Sequence, residues 1–285
     1  MSIEIYVNNL PVTYKFFTFS GGEVSVKLDT ETLPISYVGS VHVKAFLKSS
    51  NDIMTLLLLV DAIKQATQSR RDKNCEWTLD MPYIPYARQD RVCDSGESLS
   101  VKVYADLINS LGFDRVTVQD PHSEVSTALL NNVVVQEQHK LVLRRLAHRI
   151  RLMDVALVSP DAGAQKKIFK LAKSMGGLDV FTADKVRDTS TGQIIKTSIS
   201  ETDFKGRNLL IVDDIFDGGF TFLKLAELLK ERNAGFVELF VTHGIFSKGV
   251  DIADGLLDAI YAENIWEENV KGRNTKGILK YKVKQ

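Results

Sequence analysis

Short runs of β-branched and apolar residues alternate along this chain with longer amphipathic stretches. The short runs are bounded by turn-forming residues, which is the pattern of buried β-strands. On this basis strands are predicted at residues 115–120, 154–161, 209–214 and 236–244.

The longer stretches carry apolar residues at helical spacing. From residue 98 onward, apolar side chains recur at intervals of four, and Gly112 would end that helix. Two more helices are predicted over residues 164–177 and 220–235. The apolar faces of the three helices are Leu99, Val103, Leu107 and Leu111; Ile168, Leu171 and Met175; and Phe222, Leu225 and Leu229. Alternating strands and helices predict an α/β fold, with parallel sheets covered by helices on both faces.

This alternation occurs twice, without a close sequence repeat. A chain of 285 residues is long enough for two domains of ordinary size. Two doubly wound parallel-sheet domains are therefore expected at residues 1–145 and 146–285, with the boundary in the polar, helical-looking segment 136–149.

Three other segments have a less regular pattern. Residues 17–28 resemble a hairpin that turns at glycines, and residues 77–90 resemble a strand that enters a loop. Residues 183–206 are polar and rich in Ser and Thr, which favours a mobile loop or hairpin over a site.

Composition and charge exclude several classes of function. The chain is 44% hydrophobic and 25% charged, and 36 basic residues balance 36 acidic ones, so the basic excess of a nucleic-acid-binding protein is missing. The most apolar run, residues 53–60, is too short to cross a bilayer and predicts a buried helix. Neither a leader segment nor a membrane partner is expected. Cys75 and Cys93 show no metal-type spacing, which fits a reduced, cytoplasmic setting.

Polar groups with catalytic potential follow several of the predicted strands. In open α/β sheets, ligands bind beyond the carboxyl ends of the strands. The groups at those ends are Asp120 and His122; Asp161 and Gly163; Asp213, Asp214, Asp217, Gly218 and Gly219; and His243. Together they predict a crevice lined with carboxylates, an imidazole, glycine turns and helix N-termini.

Such a set of groups suits a phosphorylated sugar. Loop amides and helix N-termini bind phosphate oxygens, and adjacent carboxylates accept hydrogen bonds from neighbouring sugar hydroxyls. Asp and His side chains can also hold a Mg²⁺ ion that binds further phosphates. Each residue has a simpler interpretation as well: Asp217 as a helix cap, His122 as a surface histidine, and Lys166 and Lys167 as a solvated helix face. The sequence contains neither a Walker-type phosphate loop nor a GxGxxG motif.

Eight stretches, in order along nearly the whole chain, resemble the ribose-phosphate pyrophosphokinase family. They are FSGGE (19–23), NDIMTLLLLVDAIKQA (51–66), PYARQDR (85–91), DPH (120–122), VSPDAG (158–163), DKVR (184–187), VDDIFD (212–217) and THGIFS (242–247). The resemblance implies two domains of phosphoribosyltransferase type. It also implies transfer of the β,γ-diphosphoryl group of ATP to the anomeric hydroxyl of ribose 5-phosphate, with Mg²⁺ as cofactor.

The resemblance also assigns roles to residues. ATP would be bound by Arg88, Gln89 and His122, and by Phe19 and Glu23 from a neighbouring subunit of a dimer or hexamer. Mg²⁺ would be held by Asp120, His122 and Asp161, the diphosphate by Asp161, Ala162 and Gly163, and the ribose phosphate by Asp213, Asp214, Asp217, Gly218, Gly219, Phe220 and Thr221. Lys185 and Arg187 would be the catalytic cations of a mobile loop.

The ribose-phosphate loop departs from the family pattern. The family usually has Asp-Thr-x-Gly-Thr, whereas this chain has Gly218 in place of the first Thr and Phe220 in place of the Gly. Smaller departures occur at Val92, Cys93, Val125 and Ala164. The loop could therefore accept a 5′-substituted ribose such as ADP-ribose, with Phe220 stacked on the attached base. A phosphoribosyltransferase would share the loop at Asp213, Asp214 and Asp217 but would not need the stretch 85–91, which argues against that alternative. A non-catalytic regulatory homologue is a second alternative.

Overall fold

The computed structural model describes residues 3–187, 194–270 and 278–281 of the chain. The chain divides into two compact units, Met1–Gln136 and Glu137–Gln285. The domain boundary expected near residue 145 falls inside a helix, α4 (Gln138–Leu152), that belongs entirely to the second unit. Although α4 is polar in sequence, it buries Leu141, Leu146 and Ile150 in the core of that unit.

The first unit contains a six-stranded sheet and a separate two-stranded hairpin. Its strands are β1 (Ile3–Val7), β2 (Leu10–Val12), β3 (Tyr14–Thr18), β4 (Val24–Leu28), β5 (Val38–Ala45), β6 (Arg71–Asp80), β7 (Arg115–Gln119) and β8 (Val133–Gln136). Its helices are α1 (Ser50–Thr67), α2 (Ser100–Ser110) and α3 (Glu124–Leu129). The order across the sheet is β2-β1-β5-β6-β7-β8, parallel from β5 to β8 and antiparallel at β1 and β2, while β3 and β4 form the hairpin.

Helix α1 begins at a reciprocal cap. The Ser49 side chain accepts from the Asp52 amide, and Asp52 Oδ2 accepts from the Ser49 amide at 2.9 Å. The apolar run at 53–60 lies inside this helix and is largely buried, as its sequence predicts. Among the residues that the structure describes, no helix is long and apolar enough to cross a membrane.

Helix α2 turns a different face to the core from the one that its sequence predicted. The buried residues are Val101, Tyr104, Ala105 and Ile108. Two members of the predicted face are exposed, Val103 at 59% and Leu107 at 41%. Both apolar stripes have helical spacing, so periodicity alone could not choose between them.

The second unit contains a seven-stranded sheet with the order β11-β10-β9-β12-β13-β14-β15. Its strands are β9 (Val155–Ser159), β10 (Val180–Arg187), β11 (Ile194–Ile199), β12 (Asn208–Phe216), β13 (Val237–Gly244), β14 (Ala259–Ile265) and β15 (Ile278–Tyr281). Its helices are α4, α5 (Gln165–Ser174) and α6 (Phe220–Glu231). The sheet is parallel from β10 to β14 and antiparallel at its edges, β11 and β15.

Strand β12 separates two cores. Leu209 and Ile211 pack with α6 on one face of the sheet, and Leu210 and Val212 pack with α4 and α5 on the other. This two-sided burial explains why the strand is almost continuously apolar. The prediction of an α/β fold is confirmed, with the difference that both sheets are mixed: antiparallel strands lie at one edge of the first sheet and at both edges of the second.

Candidate functional site

The second unit places the paired carboxylates in strand β12, which runs two residues past the predicted end at Asp214. Strand β12 pairs with β9 through Ile211 but pairs with β13 as far as Phe216 and Gly244. Residues 212–216 therefore extend past the last residue paired with β9. Asp213 and Asp214 lie on this extension, at the carboxyl end of the sheet.

The end of β9 adds a third carboxylate to this cluster. Burial is the main cause that raises the pKa of Asp213, and the charge of Asp214 raises it next. The Asp214 amide donates to Asp213 Oδ1 at 2.9 Å and works against this shift, whereas the charge of Asp161 adds to it. Three acidic groups thus influence one another where β9 and β12 end, and hydrogen-bond donors or a cation from a ligand would relieve their repulsion.

The turn between β9 and α5 is ordered by its own polar groups. Asp161 Oδ1 accepts from the Ala164 amide at 3.1 Å, and Ser159 Oγ donates to the Asp161 carbonyl at 2.7 Å. Ala162 and Gly163 are exposed between these anchors. The predicted diphosphate-binding turn therefore has a defined shape at the start of a helix.

The loop between β12 and α6 contains two glycines in different conformations. Gly219 has a φ of 77°, and a Cβ atom there would lie 2.5 Å from Phe216 Cζ, so only glycine fits this position. Gly218 is outside the left-handed region, and its nearest neighbours would be 3.9 Å or more from such an atom. Helix α6 then begins at Phe220 without a side-chain cap on its first amides.

A buried aromatic cluster supports this loop from below. The rings of Phe216 and Phe222 stack at a centroid distance of 5.3 Å, and Phe246 packs on Phe216 at 4.9 Å. Phe220, by contrast, is 57% exposed, and Thr221 is half-buried. Asp217 is half-buried at the head of the loop.

The predicted catalytic cations lie on strand β10, which pairs with β9 in the same sheet. Lys185 and Arg187 are on β10, whose partner β11 is antiparallel. The segment 183–206 therefore contains a β-hairpin, as one interpretation of its sequence expected. The side chains of Lys185 and Arg187 lie outside the described residues, so their role remains a prediction.

The first unit carries the residues predicted to bind ATP. Arg88 and Gln89 are exposed in the loop that follows β6, where the Gln89 amide donates to the Tyr86 carbonyl at 2.9 Å. The Gln89 carbonyl in turn accepts from the amide of Val101 in the first turn of α2. These contacts tie the backbone of the loop to the helix behind it.

The end of β7 places two more of the predicted residues close together in the chain. Asp120 is 1% exposed and has a φ of 40°, and its amide donates to the Gln136 carbonyl at 3.0 Å. His122 is exposed two residues later, just before α3. A buried acidic residue with a left-handed backbone is an unusual feature at the carboxyl end of a parallel strand.

Phe19 and Glu23 occupy the turn of the β3–β4 hairpin. The Phe19 amide donates to the Glu23 carbonyl at 2.8 Å, and the ring of Phe19 is 56% exposed and meets Phe17 edge to face. A Cβ atom on Gly21 would lie 2.5 Å from Glu23 Oε2, so Glu23 folds back over the turn. The predicted hairpin is thus confirmed, and it displays an aromatic side chain to solvent.

The possible metal ligands in the described part of the chain do not form a ready-made cluster. Within residues 3–187, 194–270 and 278–281, no group of three or more His, Cys, Asp or Glu side chains is placed to hold a metal ion. Mg²⁺ commonly takes only one or two carboxylates and completes its shell with water and substrate phosphates. Asp120 and His122 in the first unit, and Asp161 in the second, are donors of the kind that this mode of binding uses.

Sequence reasoning missed a contact of the loop that is predicted to bind the ribose phosphate. Ser247 and Lys248, in the loop after β13, approach Gly218. The signal for them was weak, because a single exposed lysine next to the THGIFS stretch is typical of any solvated loop.

Comparisons with known proteins agree with this architecture. Residues 2–112 match the N-terminal domain of ribose phosphate pyrophosphokinase, and residues 131–261 match the phosphoribosyl transferase domain. The phosphoribosylpyrophosphate synthetase from Mycobacterium smegmatis has a similar fold, with a TM-score of 0.74 and 24% identity over 90% of this chain and 81% of that one.

Curated relatives are more similar in sequence. A ribose-phosphate pyrophosphokinase of Vibrio vulnificus (strain YJ016) is 33% identical over 245 residues, which cover 85% of this chain and 75% of the relative. The corresponding protein of Buchnera aphidicola is 34% identical over 80% of this chain and 70% of its own. With both domains matched in order, the chain belongs to the ribose-phosphate pyrophosphokinase family, a family of diphosphotransferases.

Proposed function

We propose that this protein transfers the β,γ-diphosphoryl group of ATP to the anomeric hydroxyl of ribose 5-phosphate, giving phosphoribosyl pyrophosphate and AMP. The sugar O1 attacks the β-phosphorus, the bond from that phosphorus to the α-phosphate oxygen breaks, and AMP leaves. The observation that supports this proposal most strongly is the similarity, over 85% of the chain, to relatives that are named for this activity.

The second unit supports the sugar half of this reaction. The Asp213 and Asp214 carboxylates would accept hydrogen bonds from the ribose 2- and 3-hydroxyls, because ionised carboxylates are pure acceptors. The glycine loop and the uncapped start of α6 would bind the 5′-phosphate. The Asp161 turn would orient the diphosphate as it is transferred.

The remaining groups would bind ATP and neutralise its charge. Arg88, Gln89 and His122 would bind ATP, and Lys185 and Arg187 would stabilise the charge of the transferring group. Mg²⁺, held by Asp120, His122 and Asp161, would supply charge neutralisation on the phosphates. Catalysis of this kind rests on positioning and electrostatics and needs no covalent enzyme intermediate.

Two further expectations belong to this proposal. Phe19 and Glu23 on the exposed hairpin turn would contact adenine from a neighbouring subunit, so the protein would act as a dimer or hexamer. A cytoplasmic setting is consistent with Cys75 and Cys93, which are both free thiols.

The test is a reaction of the protein with ATP, Mg²⁺ and ribose 5-phosphate, followed by ³¹P NMR. AMP and phosphoribosyl pyrophosphate should appear together, in equal amounts, with no nucleobase present. A phosphoribosyltransferase would instead consume added phosphoribosyl pyrophosphate when a nucleobase is supplied, and a non-catalytic homologue would release no AMP. Either result would reject the proposal.

A second acceptor is favoured by one specific observation. Phe220 is 57% exposed at the start of α6, and its ring would offer a stacking surface to a base attached to the 5′-phosphate. ADP-ribose has the required free anomeric hydroxyl and a 5′-substituted ribose.

The acceptor can be identified by exchange of the sugar in the same assay. If ADP-ribose is the acceptor, Phe220→Ala should lower its kcat/KM by about threefold to tenfold, the range expected for loss of one aromatic stack. The same variant should leave turnover of ribose 5-phosphate nearly unchanged. AMP release with ribose 5-phosphate but none with ADP-ribose would eliminate the second acceptor.

A further inference from the structure

The loop after β13 brings a lysine over the sugar-phosphate loop. A Cβ atom placed on Gly218 would lie 3.9 Å from Lys248 Cε and 4.0 Å from both Lys248 Cδ and Ser247 Oγ. The aliphatic stem of Lys248 therefore lies against the glycine that replaces the family's first Thr.

This approach is fixed by the backbone. The amides of Ile245 and Phe246 donate to the Phe216 carbonyl at 2.8 and 3.1 Å, which ties the lysine loop to the end of β12. The Gly249 amide closes a turn on the Phe246 carbonyl at 2.8 Å, and Phe246 itself is fully buried. Lys248 thus stands on a short turn that is anchored on both sides.

The charge of Lys248 is not used elsewhere in the described part of the chain. Within that part, its ammonium group forms neither a salt bridge nor a hydrogen bond, and the side chain is exposed. Exposed lysines are often only solvated, so the informative feature is the position of this one, next to the loop assigned to the phosphate. An ammonium group there supplies three mobile donors and a positive charge.

We propose that Lys248 binds the 5′-phosphate of the ribose acceptor and takes over from the threonine hydroxyl that Gly218 lacks. Ser247 Oγ, on the same side of Gly218, provides a second donor. The ligand is a 5′-phosphorylated ribose, and the inference rests on the proposed function because it assigns a residue to that acceptor site. Lys248 contributes to affinity for the acceptor and takes no part in the bond exchange.

The main variant is Lys248→Met, which removes the charge and keeps most of the stem. The KM for ribose 5-phosphate should rise about tenfold, the size expected for loss of one partly exposed charge-assisted hydrogen bond. The kcat and the KM for ATP should change less than twofold, since the contact is the same in the ground and transition states. Lys248→Arg should restore most of the affinity.

The matched control is Lys173→Met in the last turn of α5, which removes the same charge from another exposed site of the same unit. It should behave like the wild type. Thermal unfolding of both variants should match the wild type, because neither side chain is buried.

A double-mutant cycle separates the replacement of the hydroxyl from a general charge effect. Gly218→Thr should lower the KM for ribose 5-phosphate by a larger factor in the Lys248→Met background than in the wild type, because the new hydroxyl would replace a donor that only the variant lacks. Additive effects of the two substitutions would show that the lysine and the missing hydroxyl are independent.

The outcomes distinguish this inference from the proposed function. If the wild type turns over ribose 5-phosphate and Lys248→Met has an unchanged KM for it, the inference is wrong and the proposed function stands. If the wild type shows no turnover, binding of ribose 5-phosphate is measured by calorimetry instead. Absence of binding to the wild type would reject the proposed function and the inference together. Binding that weakens about tenfold in Lys248→Met but not in Lys173→Met would support the inference.

Discussion

The two adjacent glycines of the sugar-phosphate loop should respond very differently to the same substitution. In Gly219→Ala the new methyl group would enter a backbone with a φ of 77°, a strain of about 1–2 kcal/mol for a non-glycine residue. The methyl carbon would also lie 2.5 Å from Phe216 Cζ and 3.0 Å from Ile252 Cδ1. Phe216 is fully buried between Phe222 and Phe246, so its ring has little room to move.

These contributions can be combined into a net effect. Overpacking in a filled core costs about 1–3 kcal/mol, and restriction of the unfolded chain returns about 0.4–1 kcal/mol. The net loss should be about 1–5 kcal/mol, which corresponds to a fall in Tm of about 3–20 °C for a unit of this size. Gly218→Ala is the matched control: its methyl group would contact nothing closer than 3.9 Å at an ordinary φ, so it should lie within about 0.5 kcal/mol of the wild type.

The assay is thermal unfolding of the full-length chain, with hydrogen–deuterium exchange of α6 as the local readout. In Gly219→Ala, the amides of α6 should exchange faster, while those of α1 in the first unit should keep their wild-type rates. Equal Tm values for the two variants would refute the claim that the packing beneath the loop fixes Gly219.

Three further predictions concern the carboxylates and the cationic strand. Because burial and its neighbours raise the pKa of Asp213, its ionised form destabilises the folded state. At pH values above this raised pKa, Asp213→Asn should therefore have a higher Tm than the wild type when both are measured in EDTA, and the gain should vanish as the pH falls below the ordinary carboxyl pKa of about 3.9. The variant should also lose turnover. An unchanged Tm at pH 7.5 would contradict this prediction. Asp161→Ala should lower the free energy of unfolding by about 1 kcal/mol, because the Ala164 amide loses its acceptor, whereas Asp161→Asn should keep that stability. Both variants should lose AMP release. Equal denaturation midpoints for the two variants would contradict this prediction. Lys185→Ala should lower kcat at least 100-fold without a change in Tm, and surviving activity would remove this lysine from the mechanism.

The sequence predicted most elements of the second unit because its strands are buried on both faces. Such strands are continuous apolar runs that stand out from amphipathic helices. The extent of β12 was less predictable, since its last residues include Asp213 and Asp214, and acidic pairs usually mark the end of a strand. Pairing with β13 as far as Phe216 overrides that local preference.

Hydrophobic periodicity could not predict the antiparallel edge strands or the buried face of α2. Strands β1 and β2 at the edge of the first sheet are short, and alternation over so few residues carries little information. For α2 the choice between two apolar stripes depends on what the helix packs against, which is a tertiary property. The approach of Lys248 to Gly218 is also tertiary, because it depends on two main-chain hydrogen bonds to Phe216.

The loop after β12 separates residues that maintain the fold from residues that are proposed to bind the acceptor. Gly219 is fixed from below, by the buried rings of Phe216, Phe222 and Phe246, and a change there would disturb the start of α6. Neither 218 nor 220 takes part in that packing: a Cβ atom on Gly218 would only make ordinary contact with Lys248 at 3.9 Å, and Phe220 is mostly exposed. Substitutions at these two positions are therefore nearly free of stability cost, so this loop can lose a threonine and gain an aromatic ring while the sheet beneath keeps the family architecture. Acceptor choice in this chain should accordingly change through positions 218, 220 and 248 before any residue of the core has to change.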